Sequence, residues 1–305
     1  MESLDHESIK WFREQVEYYK KQRELIEKGI NLPWAYYDLG RFLMVMEKPY
    51  EAFNAYAKAV QLSTDSCFIE TSLQILGKNV DFLNSFIGFK WVYRLLLLGI
   101  VSKSPSKISI LNFDANFKIC SQSITSPVLV IAGGCDNNAE IQIKAYEHFL
   151  KYAFPDYQGT VVSGGTTAGV SGLAGTLQEY YPGKLKTIGY APSSINDAEI
   201  DKRYSEICFT GGIIYSPLEP LQYWADILRR GIKPSGVRVL GINGGMLAGA
   251  EFRMALAFGA KVGLIAGSGR EADKLLMDEE WNDSDYLFRI PRDDKVAFKS
   301  FLSQP

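Results

Sequence analysis

Apolar residues change their spacing part-way along the chain. From Leu4 to Val101 they recur every three or four positions between charged residues, the signature of amphipathic helices. The pattern predicts helices over 4–28, a helical pair from Pro33 to about Ser63, and further helices across 67–101. Beyond Pro127 the apolar residues gather into short runs that end in glycine and are followed by amphipathic stretches. These runs are PVLVIAGG (127–134), TVVSGG (160–165), KTIGYAP (186–192), SEICFTGG (205–212), VRVLGINGG (237–245) and KVGLIAGSG (261–269). Helices are expected over 139–152, 170–181, 218–231 and 248–258, and from Arg270. Strands that are apolar throughout and alternate with helices indicate an α/β fold, a Rossmann-like, doubly wound and mostly parallel sheet.

Glycine marks the same division. Residues 1–120 contain only Gly29, Gly40, Gly77, Gly88 and Gly99 of the 27 glycines; all others follow. Breaker residues in KSPSKIS and SQSITSP place a boundary between Ser102 and Pro127. The expected organisation is a helical domain over 1–115 and a nucleotide-binding α/β domain over 120–305.

The helical half contains a repeat-like segment. Counted from Pro33, Tyr36, Leu39, Gly40 and Leu43 fall on first-helix positions of a tetratricopeptide repeat. Ala52, Tyr56 and Ala59 fall on second-helix positions, and Thr64 stands where the repeat usually ends in proline. Small residues let two antiparallel helices approach and aromatics fill the remaining gap. One repeat cannot bury its own face, so the flanking helices must stack on it. Such a surface suits self-association or docking of a protein partner. Tyr18, Tyr19, Tyr36 and Tyr37 are read as packing aromatics of these helices.

Charge narrows the function classes. The net charge is -2, with 33 basic and 35 acidic residues, so the broad basic footprint of a nucleic-acid binder is missing. Cys67, Cys120, Cys135 and Cys208 form no CxxC pair, and the chain has only His6 and His148. That gives neither zinc-site spacing nor a disulfide framework. Cys135 and His148 are read as packing residues. The most apolar stretch, Trp91 to Val101, is shorter than the ~20 residues of a membrane span and contains Arg94. The charged opening does not read as a signal peptide. A cytoplasmic chain with no metal, no membrane partner and no nucleic-acid partner is expected.

The candidate chemistry lies in four glycine turns that follow four different strands. They are Gly133-Gly134; Gly164-Gly165-Thr166-Thr167 with Gly169; Asn243-Gly244-Gly245; and Gly267-Ser268-Gly269 with Arg270. Glycine allows close backbone approach, so amides can point at a phosphate near a helix N-terminus. Thr166, Thr167 and Ser268 add hydroxyls suited to phosphate or ribose oxygens. A single turn of this kind is equally explained by tight strand-to-helix geometry; four on one rim point to a shared ligand. GSGREA (267–272) fits a G-x-G-x-x-A fingerprint locally. It follows the last expected strand, leaving no room for the ribose-binding half of a dehydrogenase. No P-loop sequence is present.

Taken together, these motifs resemble the SLOG superfamily, which groups LOG phosphoribohydrolases, Smf/DprA DNA-processing proteins and the nucleotide-sensing domains of TRPM channels. PVLVIAGGCDN is similar to its first strand, TVVSGGTTAGVSGLAG to its phosphate-binding turn, and the segment from Val237 to Leu276 to its closing part. The resemblance covers about 120–280 and is closest to the sensor branch, including Thoeris-effector domains that sense a cyclic ADP-ribose isomer. It implies a non-enzymatic sensor of an ADP-ribose-type or cyclic nucleotide. With its helical-repeat region, the chain looks like a component of a bacterial antiphage signalling system. No resident cofactor is implied beyond that nucleotide ligand.

The LOG motif P-G-G-x-G-T-x-x-E is only partly retained. Gly244, Gly245 and Glu251 match, whereas Asn243, Leu247 and Ala248 replace its Pro, Gly and Thr. Its upstream Arg-Lys pair has no clean counterpart; Lys202 and Arg203 are the nearest candidates. Glu251 can accept hydrogen bonds from ribose hydroxyls, cap a helix end, or act as the catalytic carboxylate of a phosphoribohydrolase or N-glycosidase, which is the alternative function. Arg270 can clamp a pyrophosphate or stand as a solvated surface arginine. A single-strand DNA-binding role of the Smf/DprA type is a less favoured third reading, and a scaffold with a vestigial nucleotide site is the fourth.

Overall fold

The computed structural model describes residues 6–78, 80–112, 120, 123–135 and 146–303. The chain divides into two compact units, 1–100 and 101–305.

The first unit is helical: α1 (His6–Glu27), α2 (Trp34–Val45), α3 (Pro49–Leu62), α4 (Ser66–Gly77), α5 (Val80–Leu83) and α6 (Phe89–Lys103), which runs past the division. The α2–α3 pair depends on Gly40. A Cβ built there would lie 2.5 Å from Cδ2 of the buried Tyr56 ring. Ala52 and Ala59 are fully buried on the facing side, so the small residues permit the close approach that the spacing predicted. Tyr37 Oη and Ser63 Oγ hydrogen-bond at 2.9 Å, giving the buried phenol a partner. Asp65 caps α4 by accepting from Cys67 N at 2.7 Å. On α6, Leu95, Leu96 and Leu98 are fully buried, and Gly99 packs against Val60 and Ile69. The apolar run is therefore a core helix, and no helix among the described residues is long and apolar enough to cross a membrane.

The second unit opens with a 3-10 stretch (Pro105–Asn112) and forms a seven-stranded sheet. Its strands are β1 (Val128–Gly133), β2 (Gly159–Ser163), β3 (Leu185–Pro192), β4 (Glu206–Thr210), β5 (Val237–Ile242), β6 (Lys261–Ile265) and β7 (Leu287–Ile290). The spatial order is β4-β3-β2-β1-β5-β6-β7 and every pair is parallel. Helices α7 (Glu147–Ala153), α8 (Gly169–Tyr180), α9 (Leu218–Arg229), α10 (Met246–Phe258), α11 (Arg270–Met277) and α12 (Lys295–Ser303) accompany it. Leu129, Ile131, Leu240 and Ile242 face a core shared with α8 and with Phe298 and Phe301 of α12. On α9 and α10, Trp224 meets Phe258 edge-on at 5.2 Å. Both faces are thus covered, which is why the strands read as continuous apolar runs.

Two expectations change. The sheet has a seventh strand, β7, which pairs with β6 through Val262 and Leu287 onward. Its four residues, only Ile290 of them buried, are too few to show periodicity in sequence. The helix expected over 139–152 is described only as α7 from Glu147; 136–145 lie outside the described residues. The β3-to-β4 connection contains a single short 3-10 turn, Asp197–Glu199.

Candidate functional site

Strand order reverses between β1 and β5, whose register ends at Gly133 opposite Ile242. Connections leave this point in opposite directions, which opens a crevice beyond the carboxyl ends of the strands. A cavity of about 220 Å³ lies there. Gly133 of β1, Ser163 at the end of β2 with Gly164 beyond it, and Tyr190 of β3 form one side. The first turns of α8, α9 and α10 form the other.

Backbone crowding shapes the floor. Gly133 has φ +156°, and a Cβ there would collide with the carbonyl oxygen of Ile242. Gly134 N donates to Ile242 O at 3.1 Å, and Gly134 O accepts from Val170 N at 3.1 Å. These bonds fasten the start of α8 to the end of β1. Neither α8 nor α10 receives a side-chain cap; their N-cap residues are Ala168 and Gly245. First-turn amides have no acceptor within their own helix, and Val170, Ser171, Leu247 and Ala248 from these two turns line the cavity. Their dipoles favour negative charge at that end.

Carboxyl groups lie among the same lining. Glu251, on the second turn of α10, accepts from Tyr223 Oη at 2.8 Å. It keeps partial exposure, which it has through the cavity. Burial of its carboxyl pushes it up from 4.5 to about 7, although the tyrosine bond favours the charged form. Burial also pushes the Tyr223 phenol well above 10, with the nearby Glu251 adding to the effect. Glu219 accepts from Thr210 Oγ1 and, at 2.7 Å, from Ser216 N. Glu219 thus satisfies the Ser216 amide just ahead of α9, and burial raises this carboxyl as well. Tyr215 Oη donates to Gly164 O at 2.7 Å. No lysine, arginine or histidine is among the described residues that line the cavity, and the described residues hold no cluster able to bind a metal ion.

The residues singled out from the sequence fall into three places. Gly133, Gly164, Thr166, Gly245 and Glu251 line the cavity, and Gly134 joins its floor as described. Gly165, Thr167, Gly169 and Gly244 shape the turns behind it. A Cβ on Gly165 would stand 3.1 Å from Gly189 Cα. Thr167 N donates to Glu199 O; a Cβ on Gly169 would collide with Gly134 O, and one on Gly244 would stand 2.6 Å from Ala248 Cβ.

The fourth turn is braced from within. Asn243 donates to Ser268 O at 2.7 Å and, through its backbone, to Ser268 Oγ at 2.9 Å. Gly267 N and Gly269 N donate to Asp273 at 2.7 and 2.8 Å. A carboxylate of the chain itself thus occupies the place an anion would take. Arg270 lies beside this turn, its Nη2 3.1 Å from where a Gly245 Cβ would stand.

Lys202 and Arg203 are directed elsewhere. Lys202 is exposed and 4.0 Å from Asp197. Arg203 makes a bidentate pair with the buried Asp201 at 2.9 and 2.7 Å and also donates to Gly172 O and Thr176 Oγ1 of α8. His148 is exposed on α7, its ring centroid 4.0 Å from that of Phe149. Cys135, read from the sequence as a packing residue, is exposed and lines the cavity; desolvation of its sulfur raises the thiol above the ordinary value.

Sequence reading missed Tyr190, Tyr215, Glu219 and Tyr223 as cavity residues. One signal was available: Glu219 and Tyr223 are four apart on one helical face.

No protein-family model matches the chain. No curated protein matches it. Among solved structures, the X-ray structure of TM1055, a target of the Northeast Structural Genomics Consortium, is similar at 17% identity and a TM-score of 0.41. That similarity covers 58% of this chain and 99% of the other.

Proposed function

We propose that this protein binds a nucleotide-type ligand, of the ADP-ribose or cyclic-nucleotide class, at the switch-point cavity and acts as its sensor. The observation that carries this reading is the convergence, on one cavity, of two helix N-termini lacking side-chain caps and the carboxyl of Glu251. The amide end suits phosphate oxygens; the carboxyl end accepts from sugar hydroxyls. Gly133, Gly134, Gly164, Thr166, Gly245 and Glu251 make the contacts in this account, with Arg270 beside Gly245 reaching a second phosphate. Gly165, Thr167, Gly169, Asn243, Gly244, Gly267, Ser268 and Gly269 hold the turns in shape. Lys202 and Arg203 stand outside it, because their partners point them away from the cavity lining.

At about 220 Å³ the enclosed space is smaller than the 300–1,000 Å³ of ordinary ligand pockets. It therefore takes one end of such a ligand. The motif resemblance to the SLOG sensor branch supports the same class. In this account the helical unit, with its repeat-like α2–α3 pair, passes the bound state to a second copy or a protein partner.

A second reading has one observation in its favour. A carboxyl held at about 7 inside a cavity is suited to proton transfer at neutral pH, as a nucleotide N-glycosidase would require. Against it stands the absence of a cationic side chain in the described lining to stabilise a departing group.

One experiment separates the two. The protein is incubated with ADP-ribose, cyclic ADP-ribose isomers, NAD, cyclic dinucleotides or AMP, its thermal shift is recorded, and the nucleotides are then analysed. A ligand at one hundred times its dissociation constant should stabilise by about 2.7 kcal/mol. A shift with the nucleotide recovered intact supports the sensor. Free base plus sugar phosphate, lost in Glu251→Gln, makes the protein an enzyme. No shift with any of them overturns the proposal.

A further inference from the structure

Tyr190, Tyr215 and Tyr223 line the switch-point cavity, and each gives its single phenolic proton to the protein. Tyr190 donates to Asp226 Oδ2 at 2.8 Å, Tyr215 to Gly164 O at 2.7 Å and Tyr223 to Glu251 Oε1 at 2.8 Å. The rings are therefore held in place, and they offer a ligand π-density rather than a donor. The carboxyls of the described lining differ from each other. Both Glu219 oxygens are engaged, Oε1 by Thr210 Oγ1 and Oε2 by Ser216 N. Glu251 Oε2 accepts from no described residue, so the lining holds a spare carboxylate oxygen. Tyr223, which bonds the other oxygen of Glu251, meets Tyr190 edge-on with ring centroids 5.9 Å apart.

A carboxyl and aromatic rings in an enclosed space, with no lysine, arginine or histidine in the described lining, suit positive charge. The first turns of α8 and α10, on the same cavity, suit negative charge. From this pairing we propose that the nucleotide end entering the cavity carries a quaternised aromatic base, a fixed-charge ring of the N-alkylated pyridinium or purinium type, with its phosphate on the helix amides. The proposal rests on the nucleotide reading and names the kind of base, which that reading leaves open. A buried anion without a countercharge is unfavourable, and burial raises the Glu251 carboxyl accordingly. A cationic ring supplies that countercharge at short range, where exclusion of water strengthens the attraction. A neutral base supplies none. The charge needs no lone pair of its own, so the ribose hydroxyls keep Glu251 Oε2 as their acceptor. Arg270, beside Gly245 at the start of α10, belongs with the phosphate.

The test is calorimetric titration of the full chain at fixed ionic strength with paired mononucleotides, each pair alike in sugar and phosphate. Nicotinamide mononucleotide is compared with its dihydro form, and N1-methyl-AMP with AMP; ADP-ribose serves as the reference for the nucleotide reading. The charged member of at least one pair should bind about tenfold tighter than its neutral partner. Preference within the first pair alone assigns a pyridinium, and within the second alone a purinium. Glu251→Gln keeps an acceptor for Tyr223 but removes the charge, and should bring the charged ligand down to the affinity of the neutral one. Charged and neutral members binding alike, or ADP-ribose binding with neither pair, overturns the inference and leaves the nucleotide reading standing. So does a Glu251→Gln variant that keeps the full preference. Binding by none of these nucleotides, ADP-ribose included, overturns both. The wild-type comparison decides even if the variant does not fold.

Discussion

At the scale of residues, Glu251 and Tyr223 set the chemistry of the cavity. Burial holds the Glu251 carboxyl at about 7 against an ordinary 4.5, so the folded state binds its proton more tightly than the unfolded chain does. The stability this adds is complete below about 4.5 and is lost as pH rises through 7. Discounted for its partial exposure, the change should be about 2 kcal/mol. Denaturant titrations of the wild type between pH 5 and 8 should therefore show a decline that Glu251→Gln lacks; equal slopes would contradict the burial argument. Tyr223→Phe removes the hydrogen bond that favours the charged carboxylate. The midpoint of that decline should then move to higher pH, measurable in the same titrations or by carboxyl NMR.

Among the elements, glycine does two kinds of work that substitution can separate. Gly40 is where α2 meets the Tyr56 ring, so Gly40→Ala should cost about 1–3 kcal/mol by overpacking. Gly77, near the end of α4, has open space around it; Gly77→Ala should gain roughly 0.5–1 kcal/mol by restricting the unfolded chain. Thermal denaturation of the two variants should shift in opposite directions, and a shared direction would refute the close approach. Gly133 joins the end of β1 to the end of β5. With a positive φ and no room for a Cβ, Gly133→Ala should destabilise by about 3 kcal/mol or more and abolish ligand binding. A variant of near wild-type stability would show that the crossing is looser than described.

For the whole molecule, the sensor proposal requires that the α/β unit communicate its bound state. A saturating nucleotide should change the oligomeric state in analytical ultracentrifugation or strengthen capture of a protein partner. A ligand that binds and stabilises without either change would remove the transmitting role from the helical unit. The resemblance seen in sequence reaches this scale only as a class of ligand, because its motifs are turns and say nothing of what the helices touch.

The sequence alone determined the fold class, since period and glycine placement are local: a buried parallel strand must be apolar throughout, and the turn after it must be tight. It also marked the turns that line the cavity, from Gly133 to Glu251. Tertiary structure decided which of those turns face the cavity. The Gly267–Gly269 amides look the same in sequence as the others, yet Asp273 fills them. Arg203 looks like a phosphate ligand until Asp201 holds both ends of its guanidinium. Tyr190, Tyr215 and Tyr223 come from separate parts of the chain. Such meetings depend on strand order, which an individual strand's sequence does not encode. Burial, and with it the titration of Glu251, follows from those meetings and is settled only when the elements pack.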